Sequence, residues 1–180
     1  MKNKARRFLL FSTVISLLTA TCWAEQQVSA GIALQDVDGH EDPGGSLIVN
    51  YAAYITPSLA IQGEITNTVM YAEQEIFNNS GNSVGFSEFY ALTTGAYALY
   101  RHRIGDRLFF LGRGGVLVLF SESEDCIVGE CEVAENDPEV SLSYGAGVGF
   151  QLSQAFDVQV QATQLHADVL HAGMTVGWSF

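Results

Sequence analysis

Apolar side chains alternate with small or polar ones, residue by residue, along much of this sequence. The clearest stretch is 140–152, where every even position is apolar and every odd position is Ser, Gly or Gln. Successive side chains of a β-strand point to opposite faces, so the pattern predicts a strand with one apolar and one polar face. The same alternation continues to the last residue in MTVGWSF, residues 174–180. Helical periodicity is confined to the first two dozen residues, so the sequence predicts an all-β fold.

Eight segments of this kind follow residue 24, and each predicts one strand. Their approximate ranges are 27–35, 46–55, 59–69, 88–100, 108–120, 140–152, 156–164 and a C-terminal strand that ends at Phe180. The facing of the fourth segment is ambiguous. The connections 56–58, 101–107 and 153–155 are short, whereas 36–45, about 70–87 and about 121–139 are long and polar. Short turns that alternate with long loops are typical of an antiparallel, up-and-down transmembrane β-barrel, with turns in the periplasm and loops outside the cell.

The first 24 residues have the composition of a secretory signal peptide. A start with two lysines and two arginines precedes a largely apolar run, and residues 22–24 (CWA) form a small-x-small cleavage signature. We expect cleavage after Ala24, which leaves one domain, 25–180. The apolar run is short for a membrane-spanning helix, which needs roughly 20 residues.

The alternation alone does not decide which face of the barrel points inward. A transmembrane barrel presents its apolar face to lipid, whereas a soluble eight-stranded barrel such as a lipocalin has its large apolar residues inside. Glu64, Arg113 and Asp157 lie on the polar faces, and an isolated charge cannot face hydrocarbon. Together with the signal peptide, these charges favour a membrane barrel with a polar lumen.

The charge balance of the exported chain excludes one class of partner. After residue 24 the sequence keeps four arginines, no lysine and all twenty acidic residues, a formal charge of −16. Such a surface should repel nucleic acid, because the phosphate backbone attracts cations and not carboxylates. We expect these acidic residues to lie in loops that face water and contact divalent cations.

The whole chain after the signal peptide resembles the OmpA-like superfamily of small outer-membrane β-barrels. The resemblance is carried by the terminal strand, by YITPSLAIQGE (54–64) and by the glycine-rich fifth and sixth strands. It implies an eight-stranded monomer in the outer membrane of a Gram-negative bacterium, in contact with lipid and lipopolysaccharide. In this family the barrel-assembly machinery recognises the last strand as an exposed edge. That role would fall here on Met174, Val176, Trp178 and Phe180.

The polar faces predict a lumen network made of two acids, one arginine and three amides. Its members are Glu64, Arg113, Asp157, Gln62, Gln159 and Gln161. Because side chains fill the interior of an eight-stranded barrel, a buried charge there needs a partner. We expect Arg113 to point inward and to pair with Glu64, Asp157 or both. The pair is either a structural plug or a gate that switches between the two acids.

Two cysteines and many acids lie in the third long loop. Cys126 and Cys131 are close in sequence, and in an oxidising compartment they predict a disulfide; a metal site is less favoured because no histidine is near. The acids in SESEDCIVGECEVAENDPEV predict either a surface for cations or partners, or a solvated loop beside cation-bridged lipopolysaccharide. Their spacing does not match an EF-hand.

The sequence carries no catalytic motif of the small barrels. Lipid A deacylases of the outer membrane use a His-x-Ser motif, and none of the four histidines fits it. The glycines of GAGVGF (145–150) fall at every second residue of a strand, unlike a dinucleotide-binding loop. We therefore expect no enzyme, cofactor or metal. The favoured role is structural or surface-interactive, through envelope integrity, adhesion or loop contacts; a narrow porin-like channel gated by the lumen pair is the alternative, ahead of a lipid-active enzyme.

Overall fold

A computed structural model describes residues 25–77, 81, 83–127 and 130–180, so the predicted signal peptide lies outside the described residues. These described residues form ten β-strands. They are β1 (Gln26–Val37), β2 (Gly44–Thr56), β3 (Leu59–Met70), β4 (Ala72–Phe77), β5 (Ser83–Ile104), β6 (Leu108–Ile127), β7 (Glu130–Glu135), β8 (Glu139–Gln151), β9 (Phe156–His166) and β10 (Val169–Ser179). None of the described residues belongs to a helix that is long and apolar enough to cross a membrane.

Eight of these strands close into a ring, which confirms the predicted eight-stranded antiparallel barrel. Following hydrogen bonds around the ring gives β1, β10, β9, β8, β6, β5, β3, β2 and β1 again, and every neighbouring pair is antiparallel. The first and last strands pair along their full length, from Gln27 opposite Ser179 to Val37 opposite Val169. Closure removes the sheet edges that would be unsatisfied in lipid.

Strands β4 and β7 lie outside the ring and extend it at one end. Strand β4 follows β3 after Tyr71 and pairs with the first part of β5, while β7 pairs with the last part of β6. With the extended halves of β5 and β6, they form a protruding four-stranded sheet. We call the end of the barrel that carries this sheet the hairpin end. The opposite end, with the connections 57–58, 105–107 and 152–155, is the turn end.

The protruding sheet corrects the prediction that 70–87 and 121–139 are long loops. Strand β5 has 22 residues and β6 has 20, and they stay paired as far as Gly85 opposite Ile127. The sheet leaves the ring at Leu92 and Leu119, where the pairing of β5 with β3 and of β6 with β8 ends. Beyond that point, stretches such as SESED (121–125) are polar on both faces. Without an apolar face the sequence loses its alternation, although the backbone pairing continues.

Inside the ring the polar faces point to the lumen and the apolar faces point outward. Buried polar residues include Ser29, Asn50 and Thr93, whereas Ile32, Leu142 and Val160 are more than half exposed on the outside. The ambiguous fourth segment is settled by Tyr97 and Leu99, which are both buried. An apolar outer surface and a polar lumen are expected of a barrel that is surrounded by the hydrocarbon chains of a membrane.

Candidate functional site

The middle of the lumen holds a buried ion pair between Glu64 and Arg113. Both guanidinium Nη atoms donate to the carboxylate, with Nη2 2.9 Å from Oε1 and Nη1 bonded to Oε2. Arg113 Nε and Nη2 also donate to Thr163 Oγ1 at 3.1 and 2.8 Å. The guanidinium carbon lies 4.4 Å from the centre of the Tyr97 ring. With exposures of 2% for Glu64 and 7% for Arg113, the pair is almost completely buried.

Three strands position this pair. Glu64 projects from β3 and Arg113 from β6, and β5 lies between them with Gly95 directly opposite Glu64. Because Gly95 has no side chain, the Tyr97 ring can lie over it, and the guanidinium of Arg113 packs against that ring. The bidentate geometry matches the planar fork of an arginine to both oxygens of one carboxylate.

Asp157 belongs to a separate network nearer the turn end. Its carboxylate accepts hydrogen bonds from Gln27 Nε2 at 2.6 Å and from Gln159 Nε2 at 2.9 Å. The structure therefore pairs Arg113 with Glu64, while Asp157 is held by amides. Gln62 and Gln161 are also buried in the lumen wall, but Gln62 Oε1 finds no hydrogen-bond partner among the described residues.

An aromatic and arginine layer closes the lumen at the turn end. Arg101 is 1% exposed, and its guanidinium carbon lies 4.9 Å from the Tyr54 ring centre and 4.6 Å from that of Phe109. Its Nη1 donates to the Tyr54 hydroxyl at 3.0 Å, and its Nη2 lies 3.6 Å from a carboxylate oxygen of Glu25. Leu99 and Leu111 pack into the same cluster. We call this the lower layer.

Sequence reasoning missed Arg101 because it placed 101–107 in a short connection. Strand β5 in fact continues to Ile104, so Arg101 keeps the inward phase of Tyr97 and Leu99. The period-two phase of the strand was the signal that could have revealed it.

A second apolar cluster lies in the lumen toward the hairpin end, on β5, β6, β9 and β10. Its members, all at most 5% exposed, are Ala91, Leu117, Leu119, Leu165 and Val169, with Phe89 packed against them. We call this the upper layer. The polar middle of the lumen thus lies between two tightly packed layers.

The hairpin end carries a disulfide and rows of carboxylates. Cys126 and Cys131 face each other across β6 and β7 with their Cα atoms 4.0 Å apart, and the structure confirms the bond between them. Glu124 lies near both sulfur atoms, but sulfur atoms that are joined in a disulfide do not serve as thiolate ligands for a metal.

One carboxylate row crosses three strands of the protruding sheet. Glu88 on β5 lies directly opposite Glu73 on β4 and Glu124 on β6. Burial, followed by repulsion from Glu73 and Glu124, raises the pKa of the Glu88 carboxyl above its usual value. Like charges directly opposite each other weaken a sheet, so this row is a locally unfavourable arrangement.

The predicted assembly residues occupy the outer face of β10. Met174, Val176, Trp178 and Phe180 are each about half exposed, at 48, 49, 50 and 56%. Phe180 N–H donates to the Gln26 carbonyl, and Gln26 N–H donates to the Phe180 carbonyl. In the closed barrel β10 is therefore paired on both sides, and it is an edge only before closure.

A family model described as outer membrane protein beta-barrel domain matches residues 8–180. The chain belongs to this family. It is a bacterial outer-membrane β-barrel protein, and its apolar outer face contacts lipid. No curated protein matches the sequence.

Three solved structures share the fold at low sequence identity. Ail, the attachment invasion locus protein of Yersinia pestis, is 19% identical with a TM-score of 0.56, covering 87% of this chain and 98% of Ail. The N-terminal β-barrel domain of Pseudomonas aeruginosa OprF is 11% identical with a TM-score of 0.57, covering 86% and 97%. Neisserial surface protein A is 13% identical with a TM-score of 0.54, covering 87% and 96%. At these identities the likeness concerns the fold.

Proposed function

We propose that this barrel is a non-enzymatic surface protein that contacts positively charged partners through its hairpin end, which we place outside the cell. The observation that carries the proposal is charge segregation. All acidic residues except Glu25, Glu64, Asp106 and Asp157 lie at the hairpin end, and no lysine or arginine lies there. Opposite charges across an interface steer association and select partners.

The shape of the hairpin end supports a role in contact. The protruding sheet is fixed to the rigid barrel by the continuous strands β5 and β6, and the disulfide ties β7 to it. Exposed apolar side chains accompany the acids, among them Phe77, Phe86 and Val133. An interface needs such apolar anchors, because exposed charges alone add little affinity.

The charge pattern also separates this chain from one of its structural neighbours. Ail has been solved in complex with the heparin analogue sucrose octasulfate. A polyanion of that kind requires cationic side chains, and the hairpin end of this chain offers carboxylates. We therefore propose that its partners are cationic and that sulfated polysaccharides are excluded.

The closed lumen favours this surface role over a narrow channel. A water path would have to pass the lower layer, the Glu64–Arg113 pair and the upper layer in series. Opening the ion pair alone leaves both other barriers in place. Replacing Arg113 with Ala should therefore leave single-channel conductance in planar bilayers unchanged, and a clear rise would favour the channel.

The proposal is tested with the full barrel in lipid nanodiscs and two probes, an oligolysine peptide and heparin. Oligolysine should bind and be released by salt, since exposed charges are screened within about 8–10 Å at physiological ionic strength. Heparin should not bind. Glu132→Gln should weaken oligolysine binding, while Asp106→Asn, which also removes one negative charge but at the turn end, should not. Binding of heparin, or equal effects of the two variants, would contradict the proposal.

A further inference from the structure

The exposed cations of this chain are gathered on one turn. After residue 24 the sequence has four basic residues of the Lys/Arg type. Arg101 and Arg113 are buried in the lumen, whereas Arg103, two residues beyond Arg101 on the inner face of β5, and Arg107, in the connection between β5 and β6, are exposed at the rim of the barrel. Gly105, with φ 73°, supplies the left-handed conformation of that connection. We call residues 103–107 the basic turn.

The basic turn lies where the apolar outer surface of the barrel ends. Ile104 and Leu108 pair with each other at the mouth of the turn, and each is 41% exposed on the outer face. One row further into the membrane, His102 lies opposite Phe110, and the His102 ring stacks on Tyr100. Lipid-facing side chains thus continue to the residues next to the turn, which places Arg103 and Arg107 at the depth of the lipid headgroups. Arg103 starts on the inner face of β5, and its long side chain reaches the headgroups from the rim of the barrel.

We propose that the basic turn binds the phosphate group of an anionic glycerophospholipid in the leaflet at the turn end. An arginine at headgroup depth can donate several hydrogen bonds to one phosphate, while Ile104 and Leu108 contact the acyl chains of the same lipid. Ile104 and Leu108, which are next in sequence to Arg103 and Arg107, favour a lipid over an anionic polymer in the water beyond. The site does not depend on the contacts proposed for the hairpin end.

The binding is confined to one sector of the barrel. The other two connections at the turn end, TPS (56–58) and SQA (153–155), contain no charge. On the opposite side of the ring, Trp178 on β10 has the uncharged neighbours Val28 and Phe156. Trp178 is therefore a control position within the same barrel. It is also exposed on the outer face, but its paired neighbours carry no positive charge.

The test compares two tryptophan reporters in bilayers that contain brominated lipids, which quench tryptophan on contact. The first reporter is the native Trp178, and the second is Ile104→Trp in a Trp178→Phe background. At the Ile104 position brominated phosphatidylglycerol should bind on the order of tenfold more tightly than brominated phosphatidylcholine. The two arginines attract the anionic headgroup, and the negative charge of Asp106 partly offsets that attraction. At Trp178 the two lipids should quench equally.

Three variants decide the outcome once folding has been checked by heat-modified migration on gels. Arg103→Gln with Arg107→Gln should remove the preference at the Ile104 reporter, and Asp106→Asn should increase it. If Ile104→Trp does not fold, Leu108→Trp on the partner strand replaces it. Equal quenching at both reporters, or a preference that survives loss of both arginines, would overturn the proposal. Displacement of the anionic lipid by soluble, carboxylate-bearing cell-wall fragments would also overturn it, in favour of a polymer site.

Discussion

Removing Glu64 alone should destabilise the barrel more than removing Glu64 and Arg113 together. Arg113 is 7% exposed in the native barrel. In Glu64→Gln its guanidinium should keep the contacts with Thr163 and the Tyr97 ring but lose both bonds to a carboxylate. Breaking one partner of a buried ion pair typically costs about 3–5 kcal/mol, because an uncompensated charge remains buried. We expect a loss in that range for the single variant.

The double variant Glu64→Gln with Arg113→Met removes the charge and fills a similar volume. Replacing a buried pair with well-packed residues is often neutral or stabilising, so the double variant should recover about 2 kcal/mol or more of the loss. The assay is urea unfolding of the barrel in lipid vesicles, followed by Trp178 fluorescence, with the exposed Asp106→Asn as the control that should change stability by less than about 0.5 kcal/mol. A double variant that is less stable than Glu64→Gln would refute the reasoning.

Three further outcomes are expected. Deleting Phe180 should leave unfolded chain in the periplasm and little heat-modifiable barrel in the membrane, as measured by cell fractionation and gel migration; normal assembly would refute the recognition of this residue. Cys126→Ser with Cys131→Ser should speed hydrogen exchange in the protruding sheet, while the unfolding midpoint of the barrel changes little, because so short a ring contributes at most about 2–3 kcal/mol. Since the pKa of Glu88 is raised in the folded sheet, the sheet should be most stable below the ordinary pKa of 4.5 and lose stability as the pH rises through the raised value. Hydrogen exchange corrected for its intrinsic pH dependence measures this effect, and Glu88→Gln should abolish it.

The ring of the barrel could be predicted from the sequence because its two faces meet different solvents. Lipid on one side and a polar lumen on the other impose a strict alternation, as in 140–152, and β8 spans Glu139–Gln151. The protruding sheet could not be predicted in this way. It meets water on both faces, so the residues of 121–125 are polar regardless of their facing, and the strands there are fixed by pairing alone.

The lumen was predictable in composition but not in pairing. Alternation placed Glu64, Arg113 and Asp157 on inward faces, and all three are buried. Which acid meets the arginine depends on the stagger between strands, and the partner Gln27 reaches Asp157 only because β1 closes onto β10. A long-range register of this kind is not encoded in the period of any single strand.

The orientation of the barrel underlies both the proposed contacts at the hairpin end and the lipid site at the turn end. It is measured most directly with single added cysteines and a membrane-impermeant maleimide on intact cells, since the native Cys126–Cys131 pair is oxidised and does not react. Asp38→Cys, at the hairpin end, should be labelled in intact cells. Asp106→Cys, in the basic turn, should be labelled only after the outer membrane is permeabilised. Labelling of residue 106 but not residue 38 in intact cells would show that the barrel has the opposite orientation, and would contradict the account.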